Sequence, residues 1–241
     1  MRVGVLGARG RMGTTVCGAV ESDADLVLAA RLGRGDPLDA LIDGSVEVAV
    51  DFTNGGVAAH NGHWCLANGI HVVVGATGVP AADLEALRER AAESGRNVFV
   101  APNFALGAVL MMVLAARAAP FFDTAEIVER HHERKADAPS GTALRTAELM
   151  NARRERAWAL APAGDEAGAR GADVAGIRIH SLRVPGSVAH QDVVLGSAGE
   201  TLTIRHDSID RASFMPGVIL AIKKVPSLGA LTVGLEHLLE L

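Results

Sequence analysis

A chain of 241 residues, 49% hydrophobic and 21% charged, can build one large domain or two modest ones, and its composition excludes a disordered protein. Its formal net charge of -5 offers nucleic acid no basic field, and it contains no Tyr on which bases could stack. Cys17 and Cys65 stand at neither metal-binding nor redox spacing and read as reduced core residues. The opening MRVGVLGARG has too short an apolar stretch for a secretory signal. The apolar stretch Phe104–Phe122 is interrupted by Arg117 and Pro120, which argues against a membrane span, and a cytoplasmic location is expected.

Strands are expected at Arg2–Leu6, Leu26–Ala30, Glu47–Asp51, His71–Val74 and Asn97–Val100, with helices between them at Met12–Glu21, Val57–Ala67 and Ala81–Glu93. Alternation at this spacing predicts a parallel sheet covered on both faces. Beyond Gly107 the pattern changes to a helix reaching Ala118, a strand at Ala125–His132, a loop through Pro139 and a helix from Thr142 to Ala157. Ala159–Gly176, rich in Ala and Gly, reads as an exposed loop. Strand-like runs follow at Ile177–Arg183, His190–Leu195 and Thr201–His206, the last two joined by a glycine-containing turn, so this part is expected to be antiparallel or mixed. A helix near Met215–Lys223 and a strand near Leu231–Leu235 return to the pattern of the first half. The expected fold class is α/β. Residues 1–105 and 215–241 form a Rossmann-like cofactor domain with a parallel sheet, and residues 106–214 form an α+β domain with a mixed sheet for substrate binding and oligomerisation. The two joins would act as a hinge that closes over substrate and excludes water.

Gly7, Ala8, Arg9, Gly10, Arg11, Met12 and Gly13 follow the first strand and open a helix. Such a loop lets backbone approach a pyrophosphate, while the helix N-terminus supplies amide donors and partial positive charge. The spacing is G-x-x-G-x-x-G, a variant of the commoner dinucleotide fingerprint, and no Gly-Lys-Ser/Thr ends it as a P-loop would. The second strand ends at Arg31-Leu32-Gly33-Arg34, with no acid to accept bonds from an NAD ribose. Arg31 and Arg34 suit the extra phosphate of NADP; the alternative is two solvated arginines.

Glu129 to Ala143 reads ERHHERKADAPSGTA. Adjacent histidines on a strand face opposite ways, and H-E-x-x-H spacing is absent, so no metal is expected. Ser140 is a candidate N-cap after Pro139, and the amides beyond it form an anion site with Lys135 nearby. A loop of this kind could bind a carboxylate and deliver a proton; the alternative is a structural cap, a buried histidine and a solvated lysine.

This segment resembles the signature of the dihydrodipicolinate reductases of bacterial lysine and diaminopimelate synthesis. Further motifs of that family occur in order: the glycine loop, Val50-Asp51-Phe52-Thr53, Gly75-Ala76-Thr77-Gly78, Ala101-Pro102-Asn103-Phe104 and Phe214-Met215-Pro216-Gly217-Val218. The resemblance implies reduction of a cyclic imine dicarboxylate by NADPH or NADH in a homotetramer. It implies that His131 is the acid/base group with Lys135 as partner, and that His132, Lys135, Ser140, Gly141 and Thr142 hold substrate carboxylates, with Thr77 close by. Gly7 to Met12, Gly75, Ala76, Thr77, Ala101, Pro102, Asn103 and Phe104 would contact the cofactor. Three departures stand out: no acid near the second strand, Ala76 for a common threonine, and Asn54-Gly55-Gly56 where His-Pro is more frequent. The rival readings are a reductase of another cyclic imine dicarboxylate and a non-catalytic dinucleotide sensor. The apolar run Val193–Leu195 is a candidate for a sheet shared between subunits.

Overall fold

The computed structural model describes residues 1–159 and 168–239. The chain forms two compact units, Met1–Leu106 with Arg211–Leu241, and Gly107–Asp210. Leu106 and residues 211–214 therefore fold with the first unit. Among the described residues no helix is long and apolar enough to cross a membrane.

The first unit begins β1 (Arg2–Leu6), α1 (Arg11–Ser22), β2 (Val27–Leu32), a single turn α2 (Ala40–Asp43), β3 (Val48–Asp51), α3 (Gly55–Ala67), β4 (His71–Val74), α4 (Ala81–Ser94) and β5 (Val98–Val100). Val3, Val5, Val48, Val50, Val72, Val73 and Val98 are all fully buried. That is why these strands read as runs of valine rather than as an alternation: helices cover both faces of a parallel sheet. β1 pairs with β2 on one side and with β3 on the other, always in parallel. The chain therefore reverses its direction of winding between β1 and β3, the switch point where doubly wound sheets open a crevice beyond the strand ends.

The second unit contains α5 (Leu106–Ala118) from Gly107 onward, β6 (Thr124–His131), α6 (Gly141–Asn151), β7 (Ala172–Val174), β8 (Ile177–Arg183), β9 (Ala189–Ser197) and β10 (Glu200–Ser208). Its sheet has the order β10-β9-β6-β8-β7. β6 and β8 run parallel while the other pairs are antiparallel, so the sheet is mixed. Ala125, Ile127, Ile177, Ile179, Val193 and Leu195 face its buried side. Val193 and Leu195 are thus core residues of this unit, on a strand that lies between β10 and β6.

Two stretches differ from the sequence reading. α6 stops at Asn151, six residues early, because the chain folds back: the Trp158 indole N–H donates to Asn151 Oδ1 at 2.7 Å, and Arg154 stacks on that ring at 3.6 Å. The Arg154 guanidinium also donates to the carbonyls of Ala119 and Phe122 at 2.5 and 2.6 Å. Within the expected loop Ala159–Gly176, residues 160–167 lie outside the described residues, and Ala172–Val174 is a strand. Ala175 and Gly176 both have positive φ, the geometry of a two-residue hairpin, and pair β7 with β8.

After the second unit the chain returns with α7 (Met215–Lys224) and β11 (Leu231–Val233), which adds to β5 in parallel and completes the order β11-β5-β4-β3-β1-β2. Lys223 at the end of α7 bonds Asp23 and Asp25 at 2.9 and 2.8 Å, fastening the returning helix beside α1.

Candidate active site

Four loops leave the carboxyl ends of β1, β3, β4 and β5: residues 7–10, 52–54, 75–80 and 101–105. Gly7 has φ of +79°, and a Cβ there would lie 2.9 Å from the Phe52 carbonyl oxygen. A Cβ on Gly13 would come within 2.1 Å of the Gly7 carbonyl, so α1 rests directly on the loop. Gly10 caps that helix, and no acidic side chain sits in its first turn. Bare backbone at a helix N-terminus without a competing carboxylate fits a dinucleotide pyrophosphate.

The other loops are fixed around this one. The Asp51 carboxylate is fully buried and accepts bonds from Thr53 N–H at 2.8 Å, Thr53 Oγ1 at 2.5 Å and Asn61 Nδ2 at 2.7 Å. Phe52 lies over Gly75, where a Cβ would meet its ring at 2.3 Å, and packs on Phe104 with centroids 5.7 Å apart. Asn54 caps α3 through the Val57 N–H, and a Cβ on Gly55 would lie 2.3 Å from Gly78 O. The Asn54-Gly55-Gly56 departure thus allows the loops after β3 and β4 to touch backbone to backbone. Ala76 is buried and Thr77 exposed, so the second hydroxyl of the family's pair is the one presented. Gly217 of α7 abuts the Phe104 carbonyl, at 2.1 Å from a built Cβ, which gives the Phe214–Val218 motif its packing role.

Arg31 stands near the end of β2. Its guanidinium pairs with Glu21 in the last turn of α1, at the opposite end of that helix from the glycine loop. Arg34 is exposed. The group brought to Gly33 is Arg9 of the glycine loop, which pairs with Asp36 at 2.8 Å. Asp36 Oδ2 also accepts the Gly33 N–H at 2.8 Å. The positive φ of Gly35 turns the chain back and lets Asp36 reach this point. A carboxylate therefore does stand at the tip of β2, from outside the window 31–34.

In the second unit His131 ends β6, and its Nδ1 lies 2.6 Å from Glu129 Oε2. Glu129 is fully buried, and Arg183 of β8 meets both its oxygens at 2.9 Å. Its Oε1 also accepts the Ser140 N–H at 3.2 Å. Ser140 caps α6 through the Ala143 N–H at 3.2 Å, and Gly141 opens the helix with free space about its Cα. Lys135 Nζ bonds both oxygens of Asp137 at 2.8 Å. Thr142 stands half-buried in the first turn of α6, and His132 Nδ1 is buried with no hydrogen-bond partner among the described residues. His131, His132, Lys135, Ser140, Gly141 and Thr142 are thus carried by one strand, one loop and one helix start.

Burial pushes the His131 imidazole below its ordinary value, opposed by Glu129 and aided by Lys135 and Arg183. Burial alone would raise the Glu129 carboxyl, but bonds from Arg183, Ser181 and His131 outweigh it and hold the group below the usual range. A carboxylate held ionised can fix the ring, and an imidazole whose charged form is disfavoured gives up its proton more readily than a free one.

The sheet order and glycine loop define a two-unit α/β protein with a Rossmann-like first unit, and the His131–Thr142 segment of the second unit adds groups able to move a proton. The family description for the dihydrodipicolinate reductase N-terminus matches residues 1–104, and that for the C-terminus matches residues 107–239. The 4-hydroxy-tetrahydrodipicolinate reductase of Mycobacterium ulcerans is 53% identical over 247 aligned residues, covering all of both chains. That of Mycolicibacterium vanbaalenii is 51% identical with the same coverage. The dipicolinate-bound dihydrodipicolinate reductase from Paenisporosarcina sp. TG-14 superposes with a TM-score of 0.90 at 36% identity, covering 99% of each chain. A probable dehydrogenase from Thermotoga maritima shares the fold, with a TM-score of 0.65 at 14% identity over 99% of this chain and 92% of its own. The chain belongs to the dihydrodipicolinate reductase family. Its activity is that of a 4-hydroxy-tetrahydrodipicolinate reductase, an oxidoreductase of lysine and diaminopimelate synthesis, and its first unit is a Rossmann-like dinucleotide-binding domain.

Proposed function

We propose that residues 107–210 hold the cyclic dicarboxylate and protonate it, while the first unit binds the reduced dinucleotide. The supporting observation is the single strand–loop–helix segment that carries His131, Lys135 and the exposed start of α6, closed by Arg183. The α1 amides behind residues 7–12 would take the pyrophosphate, and residues 75–77 and 101–104 the nicotinamide end. When bound, the reduced nicotinamide supplies the hydride.

The chain's own groups do the rest. Lys135, the first-turn amides at Gly141 and Thr142, and the buried Nδ1 of His132 would engage the two carboxylates. Lys135 must leave Asp137 to do so, which exchanges one carboxylate for another and costs little. His131, its Nδ1 bonded to Glu129, presents Nε2 to the substrate: as imidazolium it gives the Nε2 proton to the reduced ring and is left as the neutral Nδ1–H tautomer, with Lys135 as partner. Both NADH and NADPH are expected to serve, since Asp36 can accept from ribose hydroxyls while Arg9 and Arg34 can meet a 2′-phosphate. The protein is expected to work in the cytoplasm as a homotetramer built on the substrate unit, which sedimentation at micromolar concentration would check.

The reaction is tested by condensing pyruvate with aspartate semialdehyde enzymatically and following oxidation of each reduced cofactor on adding the protein. Pyridine-2,6-dicarboxylate should compete with substrate. His131→Ala and Lys135→Ala should each lower kcat by about 10²–10⁴-fold while leaving cofactor affinity nearly unchanged. A folded, saturated variant with wild-type turnover would remove that residue from the chemistry.

A further inference from the structure

We propose that Glu129 is a positioning residue for the reduction: its buried carboxylate fixes His131 through Nδ1, and Arg183 ties that carboxylate to the loop carrying Lys135. The proposal rests on His131 being the proton-transfer group. It adds two residues that the motif reading does not assign, one of them 54 positions from its partner.

The argument begins with the period of β6. Ala125, Ile127 and Glu129 are alternate residues on its buried face, so the strand's pattern asks for an apolar side chain at 129. An apolar residue would satisfy packing without desolvating a charge. The carboxylate instead collects His131 Nδ1, two Arg183 nitrogens and the Ser140 amide. An ionised carboxylate can only accept, so the His131 proton facing it sits on Nδ1 and Nε2 is the nitrogen left for the substrate. Arg183 does more than neutralise Glu129. Its Nε donates to the Lys135 carbonyl at 3.2 Å and its Nη2 to the Asp137 carbonyl at 2.6 Å. One guanidinium thus sets the imidazole and the lysine-bearing loop in a common frame.

The charged groups around His131 are Glu129 on its own strand, Arg183 on β8 and Lys135 in the loop. Only Glu129 favours the imidazolium form; the two cations oppose it. Removing the carboxylate charge should therefore shift the His131 titration downward, which mere loss of packing would not do.

The experiment has two arms. In the unsubstituted protein, two-bond ¹H–¹⁵N correlation of the histidine rings should show His131 as the Nδ1–H tautomer. Glu129→Gln should lower kcat by about 10- to 100-fold, leave NADH affinity unchanged, and move the His131 titration to lower pH. Glu129→Asp, which keeps the charge, should restore the titration more fully than the rate. An Nε2–H tautomer in the unsubstituted protein overturns the proposal even if Glu129→Gln does not fold. A folded Glu129→Gln with normal kcat and an unshifted His131 overturns it as well. If His131→Ala itself turns over normally, the catalytic reading fails first; if only the Glu129 variants are silent, the positioning role falls alone.

Discussion

The Asp36 carboxylate is held on two sides, by the Gly33 amide and by the Arg9 guanidinium, and both bonds hold its carboxyl below the usual range. In this position it can accept from ribose hydroxyls and would repel a 2′-phosphate, while Arg9 does the reverse. Asp36→Ala should therefore free Arg9 and tilt the balance toward NADPH. An exposed pair of this kind is weak in water, so the ratio of the two dissociation constants should move by no more than roughly fivefold. Fluorescence titration of wild type and variant with each cofactor measures it, and an unmoved ratio would show that Asp36 takes no part in the choice. This residue also marks a limit of what is legible in a sequence. His131, Lys135 and Ser140 stand within ten positions of one another and could be grouped by eye. Asp36 reaches Gly33 only because Gly35 reverses the chain, and Arg183 reaches Glu129 only because β8 lies beside β6. The one signal for Glu129 in the linear chain was an acid at an inward position of a strand.

Elements were legible in proportion to how completely their own side chains determine them. β1, β3, β4 and β5 are buried on both faces and announce themselves as valine runs, whereas β7 is two exposed residues and one half-buried valine, with a hairpin turn that uses Ala175 instead of the usual Asn or Asp. The end of α6 depends on tertiary contacts. Nothing in residues 152–157 forbids a helix, but burying Trp158 against Asn151 and Arg154 gains more than another turn would. Trp158→Ala should therefore destabilise the chain by about 3–5 kcal/mol, the usual cost of removing a buried large aromatic. Trp158→Phe keeps most of the buried area but leaves Asn151 Oδ1 without the indole donor, and should cost about 1 kcal/mol. Urea unfolding followed by far-ultraviolet circular dichroism separates the two. Equal stability of both variants would mean that α6 ends for a reason internal to residues 152–157.

Among the described residues the perturbed groups that titrate between weakly acidic and neutral pH share one sign. Burial holds His71, His131 and His206 below the ordinary 6.5. Glu126 and Glu129 lie below 4.5 despite burial, because His180 and Arg170 bond the first and Arg183, Ser181 and His131 the second. Asp137 is lowered by Lys135, and Asp207 is drawn down to about 2 by Arg205 and His190. Each of these groups binds its proton more weakly in the folded chain than in the unfolded one, so the unfolded state holds more protons and stability rises with pH. The histidines, favoured as neutral rings, contribute fully above 6.5 and lose that contribution as pH falls through their lowered values. The carboxylates contribute fully above 4.5 and lose theirs only as pH falls further, Asp207 last. Acidification should therefore weaken the fold in two stages, a shallow one between about pH 6.5 and 5 and a steeper one below about pH 4.5. Lys223 and Arg205, both raised by their carboxylate partners, titrate far above this window and do not alter its sign. The check is the urea midpoint at about pH 7, 5.5 and 4 at constant ionic strength. A midpoint that holds steady to pH 4, or rises on acidification, would mean that the unfolded chain keeps the same ion pairs, and this account of the buried charges would have to be abandoned.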